Sequence, residues 1–129
     1  MKNHIIISLL FLLIGCSKES VELSKLQDRG GLYYKINSEE PYSGTSFELY
    51  ENGQKKSEGT YKDGKEDGLH TSWYNNGQKH IEETYKDGKQ DGLYTKWYEN
   101  GQKKSEMTYK NNMMVNIIGR WNSDGSVKK

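Results

Sequence analysis

The side chains of this sequence that could support chemistry are two of its three histidines and a small group of acids. His70 and His80 could bind a metal or transfer protons, and Asp63, Glu66 and Asp67 are close enough in sequence to attract calcium. The histidines have no nearby set of His, Cys and carboxylate ligands at metal-site spacing. The acids do not follow the pattern of an EF-hand loop. We therefore expect solvated strand histidines and acids that belong to a turn.

No motif of an enzyme accompanies these residues. The sequence has no serine nucleophile elbow, no glycine loop that would hold a phosphate and no pair of carboxylates spaced for acid–base work. Alternating Lys and Glu, as in Lys55-Lys56-Ser57-Glu58, are expected to form a soluble rim. We predict that the protein is not an enzyme and that it uses no metal and no cofactor.

Cys16 is the one cysteine of the chain, and it follows an apolar segment. The chain starts with a short polar stretch that includes Lys2 and continues with an apolar run over residues 5–14. A basic start followed by such a run is typical of a secretory signal. The run is too short to cross a bilayer, which takes about 20 apolar residues. A secreted chain with one cysteine forms no internal disulfide, so the thiol needs another role.

The residues Leu13-Ile14-Gly15-Cys16 resemble the lipobox of bacterial lipoproteins, in which a small residue precedes the modified cysteine. The resemblance implies that residues 1–15 are a signal peptide and that Cys16 carries a diacylglyceryl thioether and an N-acyl chain. Several acyl chains, at about 0.8 kcal/mol per buried methylene, anchor a protein firmly. Ser17 after the cysteine implies release from an inner membrane. We predict a lipid anchor in the bacterial cell envelope, at the outer membrane where one exists; an unpaired surface thiol is the alternative.

The rest of the chain is polar but rich in aromatic residues. Without Lys2, 18 basic residues balance 18 acidic ones, and this balance argues against nucleic acid as a partner. The sequence has ten Tyr and three Trp, one Pro and no Ala. Because aromatic side chains bury large areas, an aromatic-rich β structure is favoured over a helical core. Residues 16–28 are predicted to form a flexible tether and residues 29–129 the folded domain.

A 24-residue period runs through the predicted domain. Residues 50–73 and 74–97 are identical at 17 of 24 positions, and residues 98–121 match the first copy at 12 of their first 13. Such a period is the signature of a repeat architecture. The residues that recur at this step include Gly53, Gly77, Gly101 and Gly125, Trp73, Trp97 and Trp121, and Tyr61, Tyr85 and Tyr109.

Each repeat contains two turn signals with strand-length segments between them. Asn76-Gly77 and its equivalents are typical hairpin dipeptides. Asp63-Gly64 is predicted to begin a wider turn that ends at Gly68. Segments such as 69–74 and 78–85 have the length of strands and leave no room for helices. We predict an all-β fold, a single-layer antiparallel β-hairpin meander with two strands in each repeat of about 24 residues.

The hairpin register decides which side chains share a face. We prefer a three-residue loop with Gly77 in a left-handed conformation, because it pairs Thr71 with Ile81 and gathers the apolar side chains. Trp97 then lies opposite Ile81. The predicted apolar face carries Leu69, Trp73, Ile81 and Tyr85, and the other face is mostly polar.

The two ends of the array differ from its middle, as terminal repeats usually do. Residues 29–49 are predicted to form a degenerate first unit. Residues 113–118, Met-Met-Val-Asn-Ile-Ile, are the most apolar stretch beyond the signal segment. We predict that they cap the last unit, with a docking segment as the alternative.

The residues Tyr61-Lys62-Asp63-Gly64-Lys65-Glu66-Asp67-Gly68, followed by Trp73-Tyr74 and Asn76-Gly77, resemble the MORN repeat in its bacterial variant form. The resemblance covers about residues 42–125. It implies non-catalytic, elongated β-hairpin arrays that contact proteins and sometimes phospholipids. Bacterial chains of this variant are often named as YwqK-type antitoxins, so the resemblance also implies a toxin as a partner.

These observations predict a membrane-anchored, non-catalytic lipoprotein whose MORN-like repeats offer an elongated surface to another protein. The predicted ladder of packing and contact residues is Trp73, Trp97, Trp121, Tyr61, Tyr85 and Tyr109. Packing between repeats alone is the alternative for these rings. The alternatives for the protein are an antitoxin or immunity function and a module that binds envelope glycan or phospholipid, because aromatic rings stack on sugars and the repeat also resembles the aromatic cell-wall-binding repeat.

Overall fold

The computed structural model describes residues 19–129, which form ten β-strands and one 3-10 turn at Leu23–Lys25. The strands are β1 (Ser20–Glu22), β2 (Leu26–Asp28), β3 (Tyr33–Lys35), β4 (Gly44–Leu49), β5 (Lys55–Lys62), β6 (Lys65–Trp73), β7 (Lys79–Lys86), β8 (Lys89–Trp97), β9 (Lys103–Lys110) and β10 (Met113–Arg120). From β4 to β10 each strand pairs antiparallel with the next. The predicted all-β meander is confirmed. The signal segment 1–15 and Cys16 lie outside the described residues.

The Asn-Gly hairpins have the predicted three-residue loop. The Tyr74 N–H donates to the Gln78 carbonyl at 2.8 Å, and the Gly77 N–H donates to the Tyr74 carbonyl at 2.9 Å. Gly77 has a φ of 84°, a left-handed conformation that glycine adopts without strain. The side chain of Asn76 accepts a hydrogen bond from the Gln78 N–H and closes the loop.

The Asp-Gly turns are tighter than predicted. Lys62 pairs directly with Lys65, so the turn consists of Asp63 and Gly64 alone. Their φ values of 49° and 82° are those of a two-residue turn in which both residues are left-handed. The wider turn ending at Gly68 is therefore wrong: β6 starts at Lys65 and continues through Gly68.

The predicted strand register is wrong by one residue beyond the loop. Trp73 pairs with Lys79 as a three-residue loop requires, but the next pair is Ser72 with Ile81. His80 is the extra residue of a β-bulge, and it shifts every later pair by one position. Thr71 consequently pairs with Glu82 rather than Ile81. In β8 the residue opposite Ile81 is Lys96 and not Trp97.

This shift separates the aromatic residues onto opposite faces of the sheet. Tyr85 pairs with Gly68 and shares a face with Ser72 and Ile81, whereas Trp73, the residue after Ser72, points the other way. The prediction that Trp73 and Tyr85 share one face is wrong. We name the two sides the tryptophan face, with Trp73, Trp97 and Trp121, and the tyrosine face, with Tyr61, Tyr85 and Tyr109.

The N-terminal residues are more ordered than predicted. The tether proposed for residues 16–28 does not hold for Ser20–Asp28, because β1 pairs parallel with β4 and β2 pairs antiparallel with β3. Val21, Leu23 and Leu26, the apolar residues of this stretch, are half-buried. A short polar segment can be ordered when its few apolar side chains are buried against a sheet.

The β2–β3 hairpin lies near the first repeat, and tyrosine rings from both are packed together there. The Tyr33 ring meets the Tyr61 ring edge-on with centroids 5.0 Å apart, and the Tyr42 ring lies 5.9 Å from Tyr61. Within residues 19–129, Tyr42 and Tyr61 are the only buried hydrophobic residues. The rest of the sheet is a single layer with two half-open faces. None of the residues described forms a helix of the length and apolarity needed to span a bilayer.

Candidate binding surfaces

The tryptophan face repeats one arrangement in three successive units. A lysine Nζ lies 5.8 Å from the ring centroid of Trp73, and the corresponding distances are 5.6 Å at Trp97 and 5.9 Å at Trp121. Each lysine also pairs with the glutamate three positions later. A cation over an indole ring contributes about 0.5–1 kcal/mol at an exposed site. The ion pairs that recur in this way are Lys55–Glu58, Lys79–Glu82 and Lys103–Glu106.

These contacts indicate that the tryptophans mainly hold the repeats together. The three indole rings are half-buried, and the protein's own lysines lie over them. Thr71 and Thr95, two positions before Trp73 and Trp97, are buried. Leu69 and Leu93, which lie on the same face, are exposed.

A second set of tyrosines, which the sequence analysis did not single out, joins successive repeats. Each donates its hydroxyl to the carbonyl oxygen of the tryptophan 23 residues later. The bonds are Tyr50 to Trp73 at 2.6 Å, Tyr74 to Trp97 at 2.9 Å and Tyr98 to Trp121 at 3.0 Å. The signal was present, because residues 50, 74 and 98 follow the same 24-residue step. The acceptor is a backbone atom, however, and no side-chain pattern reveals it.

The N-terminal end of the tyrosine face is closed. Tyr61 is packed beneath Tyr33 and Tyr42, and burial raises the pKa of its hydroxyl to about 12. Of the three tyrosines predicted as contact residues, Tyr61 therefore belongs to the core. Tyr85 and Tyr109 remain half-exposed.

The middle of the tyrosine face carries a network of polar side chains. His70 Nδ1 lies 3.5 Å from Glu83 Oε1, and Gln90 donates a hydrogen bond to the same carboxylate. The His70 ring meets the Tyr85 ring edge-on with centroids 6.0 Å apart. His70 also covers Gly59 on the neighbouring strand, where a Cβ atom would collide with the imidazole. The predicted solvated histidine is instead packed and paired.

The two carboxylates of this region have opposite pKa shifts. Burial raises the pKa of Glu66 above its usual value, with Glu83 adding to the effect and His70 opposing it. Burial also pushes the pKa of Glu83 upward, but hydrogen bonds from His70 and Gln90 outweigh it and lower that pKa. Burial raises the pKa of the Tyr85 hydroxyl, and the charge of the nearby Glu83 carboxylate raises it further.

His80, the bulge residue, is in a different environment from His70. Its ring packs on Tyr74 with centroids 4.4 Å apart. Burial lowers the pKa of His80, and the positive charges of Lys96 and Lys104 lower it further. Among residues 19–129 no group of three or more His, Cys, Asp or Glu side chains is arranged to hold a metal ion.

The C-terminal end of the tyrosine face is apolar and then basic. Met107 pairs with Tyr94 across strands, and the Tyr94 and Tyr109 rings lie 5.8 Å apart. Beyond them a shallow groove includes Tyr98 and Met107 together with Lys104, Arg120, Lys128 and Lys129. In the described part of the chain these four basic residues form no ion pair. The groove therefore offers uncompensated positive charge beside aromatic and thioether surface.

The repeat unit seen in the sheet corresponds to a known family. A family model described as MORN repeat variant matches residues 42–63, 66–87 and 90–111, just over half of the chain. The chain belongs to the MORN repeat variant family. Each matched MORN unit contains one three-residue hairpin loop and most of its two strands, and each ends at the first residue of a tight turn. No curated protein and no solved structure matches the chain significantly.

MORN repeats are typically non-catalytic binding modules. In this array the two faces of the sheet differ in how strictly their side chains repeat. On the tryptophan face, the lysine, glutamate, threonine and tryptophan positions are unchanged between the units that end at Trp73 and Trp97. On the tyrosine face, the pair His70–Glu83 is replaced by Tyr94–Met107 one unit later. Side chains that every MORN unit needs for stacking recur in each unit. The side chains that change from unit to unit are free of that requirement.

Proposed function

We propose that this MORN repeat protein is a lipid-anchored, non-catalytic binding protein of the cell envelope. Its tyrosine face, from His70 to Arg120, would bind another protein. The observation that carries the proposal is the contrast between the faces: the tryptophan face repeats, whereas on the tyrosine face side chains around the recurring tyrosines change from one unit to the next, as from Gly59 to Glu83 and from His70 to Tyr94. A surface with its own sequence, on a scaffold that is otherwise uniform, is where selectivity for a partner can be encoded.

The composition of the tyrosine face suits a protein partner. Half-exposed Tyr94 and Tyr109 lie beside Met107, and Tyr85 on β7 is also half-exposed. Aromatic residues and methionine are enriched in protein interfaces. The groove with Lys104 and Arg120 follows directly and is positively charged. We expect a partner with an apolar patch flanked by acidic residues, because charge complementarity speeds association and orients the partner.

The test exchanges one unit of the tyrosine face for its neighbour. The double variant Tyr94→His, Met107→Glu places the cross-strand pair of the first unit, His70 and Glu83, into the second, so it tests the face with a pair that the fold already accommodates. The matched control is Leu93→Thr, which changes an exposed residue of the tryptophan face.

Full-length protein carrying an affinity tag would be captured from solubilised membranes and its partners identified by mass spectrometry. We expect the wild type and Leu93→Thr to recover the same partner and the double variant to lose it, with unchanged thermal unfolding. Equal recovery by all three would reject the tyrosine face. Loss with Leu93→Thr alone would assign binding to the tryptophan face.

The anchor is tested separately at Cys16. Replacing it by serine is expected to move the protein from the membrane fraction to the soluble fraction and to abolish labelling by radioactive palmitate. Ser17→Ala provides the control and should keep both properties. A Cys16→Ser protein that stays membrane-bound and labelled would contradict lipid attachment at this residue.

The identity of the captured protein distinguishes the narrower functions. A partner that arrests growth when expressed alone, and whose effect this chain relieves, would identify a YwqK-type antitoxin or immunity protein. Sedimentation of the Cys16→Ser protein with purified peptidoglycan or with anionic liposomes, in the absence of a protein partner, would instead support glycan or phospholipid binding. The lysines that lie over the indole rings disfavour sugar stacking on the tryptophan face.

A further inference from the structure

The two long edges of the main sheet differ in charge. We name the turn edge for the tight turns, each taken with one residue on either side, and the loop edge for the loops that contain Gly53, Gly77, Gly101 and Gly125. The turn edge has five Lys and two Asp, a net charge of +3, in residues 62–65, 86–89 and 110–113. The loop edge has two Glu and one Asp, a net charge of −3, in residues 51–54, 75–78, 99–102 and 123–126.

Most lysines of the turn edge have no acidic partner, and all five are exposed. Four of them form no ion pair within residues 19–129: Lys62, Lys65, Lys86 and Lys89. The fifth, Lys110, pairs with Asp91. Asp67 and Asp91, two residues inside the edge, oppose this positive charge without cancelling it. Lysines nearer the loop edge are paired instead, as Lys79 is with Glu82.

The four unpaired lysines, which we name the lysine cluster, face one another. Lys62 lies directly opposite Lys65, and Lys86 lies directly opposite Lys89. Like charges in directly opposite positions destabilise a sheet. An anionic surface in contact with the lysine cluster would relieve that repulsion.

The two tight turns of the lysine cluster lie side by side. The Gly88 N–H donates to the Glu66 carbonyl at 2.8 Å, and this bond holds the second turn against the strand that leaves the first. A shallow depression of about 310 Å³ opens there, and the charged residues that line it are Lys65, Lys86, Lys89, Lys110, Asp87 and Asp91. Four lysines against two aspartates leave the depression positive, and lysine binds phosphate as a point charge.

The chain enters the sheet beside the turn edge. At the start of β4, the Glu19 carbonyl accepts hydrogen bonds from the Thr45 N–H at 2.8 Å and from the Tyr42 hydroxyl at 3.1 Å. The first tight turn lies at the same corner, because the Asp63 N–H donates to Ser43 Oγ at 2.8 Å. Glu19 is thus fixed at the turn edge, a strand length away from the loop edge.

The lipid anchor proposed at Cys16 is tied to this corner. Ser17 and Lys18 alone separate Cys16 from Glu19, and three residue steps span at most about 11 Å. Strands of eight or nine residues, such as β7 and β8, are about 25–30 Å long. A membrane that holds Cys16 is therefore close to the lysine cluster and far from the loop edge.

We propose that the lysine cluster binds anionic phospholipid headgroups of the membrane that holds Cys16, so that the array lies with its turn edge on the bilayer. The inference rests on the anchor in the proposed function. Basic residues close to an anionic membrane surface are attracted to it, and the anchor raises their effective concentration there. The acidic loop edge points away. Both faces of the sheet then stand upright on the membrane, and the tyrosine face is open to a partner that approaches along the bilayer.

The test measures how fast each lysine reacts with a water-soluble acetylating reagent, with mass spectrometry as the readout. Full-length protein purified from membranes is inserted into vesicles of phosphatidylcholine with or without phosphatidylglycerol, and flotation verifies the anchor. We expect the lysine cluster to react severalfold more slowly when phosphatidylglycerol is present, because headgroups cover it. Lys79 and Lys103, nearer the loop edge, should react equally on both vesicles. In 1 M salt, where the Debye length is about 3 Å, the difference should vanish while the protein still floats.

Two double variants separate the lysine cluster from total charge. Lys86→Gln with Lys89→Gln removes half of the cluster and should let Lys62 and Lys65 react at the same rate on both vesicles. The unfolding midpoint should not fall, because a pair of like charges is removed. The matched control, Lys128→Gln with Lys129→Gln, removes the same charge from exposed residues outside the turn edge and should keep the protection.

The outcomes distinguish this inference from the anchor on which it rests. Protein that does not float with the vesicles would overturn the anchor, and the inference with it. Protein that floats, but whose lysine cluster reacts equally on both vesicles, would overturn the membrane contact and leave the anchor standing. Equal slowing of Lys79 and Lys103 would mean that the whole chain senses the charge of the vesicle, and it would also overturn the contact.

Discussion

The Tyr74 hydroxyl donates a 2.9 Å hydrogen bond to the carbonyl oxygen of Trp97, and in doing so it joins one repeat to the next. The donor follows the last residue of β6, and the acceptor is the last residue of β8. In arrays of this kind, stability is close to a sum of the units and of the interfaces between neighbours. A bond that recurs at each interface is therefore a direct contribution to the coupling between repeats.

Removing that hydroxyl should weaken one interface. We expect Tyr74→Phe to lower the free energy of unfolding by about 1 kcal/mol, the usual effect of losing one intramolecular hydrogen bond. Tyr98→Phe should have a similar effect at the next interface, and the double variant should be close to additive. Urea denaturation measures all three. Tyr34→Phe, whose hydroxyl makes no hydrogen bond among residues 19–129, should leave the midpoint unchanged.

The loops were predictable from sequence, whereas the register was not. Asn76-Gly77 favours a left-handed glycine, and both this conformation and the three-residue loop preferred from the hydrophobic pattern are present. The bulge that follows is at Lys56, His80 or Lys104 according to the unit, three residues with no shared preference for an irregular backbone. One extra residue in a strand reverses every later side chain. The sequence therefore predicted the ladder of aromatic residues but placed them on one face instead of two.

The tight turn at Asp63-Gly64 and the order of Ser20–Asp28 were missed for different reasons. The turn could have been predicted, because Asp and Gly both tolerate left-handed conformations and suit a two-residue hairpin. The order of the N-terminal strands could not have been predicted from the sequence. β1 pairs with β4 through backbone atoms and in parallel, at a separation of about 25 residues, and no local pattern specifies such a contact.

Gly59 should be intolerant of any side chain because His70 covers it. A Cβ atom at this position would collide with the imidazole ring, although the backbone there is not left-handed. We expect Gly59→Ala to cost about 1–3 kcal/mol, the usual penalty for overpacking, and to separate His70 from Glu83. Thermal unfolding gives the cost. The double variant Gly59→Ala, His70→Ala should recover most of it, and failure to recover would show that the glycine is needed for another reason.

Glu66 is expected to oppose folding at neutral pH. Its pKa is raised, mainly by burial, so the native carboxyl holds its proton more tightly than the unfolded one does. That contribution favours folding below pH 4.5 and is lost as the pH rises through the raised native pKa. Glu66→Gln, which introduces the residue found at position 90, should therefore raise the melting temperature by a few degrees at pH 7 and leave it unchanged at pH 3. A lower melting temperature at pH 7 would contradict this account.

Glu83, although it lies in the same network, should behave in the opposite way. Hydrogen bonds from His70 and Gln90 outweigh the effect of burial and lower its pKa. The stabilisation is present above pH 4.5 and is lost as the pH falls through the lower native pKa. Glu83→Gln should cost about 1 kcal/mol at pH 7, somewhat below the usual range for hydrogen bonds to a charged group because the side chain is partly exposed. The difference from wild type should shrink towards pH 3 in the same melting series, and a constant difference would count against an ionised Glu83.

The pKa of His80 should respond to Lys104 and not to Lys103, the residue that precedes Lys104 in the sequence. Burial lowers this pKa, and Lys96 and Lys104 lower it further. Because the unfolded histidine binds a proton more readily, this residue makes the fold less stable as the pH falls from 6.5 through the native pKa. In an NMR titration of the imidazole protons, Lys104→Gln should raise the pKa of His80 toward its ordinary value. Lys103→Gln changes a lysine that lies over Trp121 on the tryptophan face and should leave the titration unchanged. Equal shifts in both variants would mean that His80 senses the overall charge of the protein and not the lysine beside its bulge.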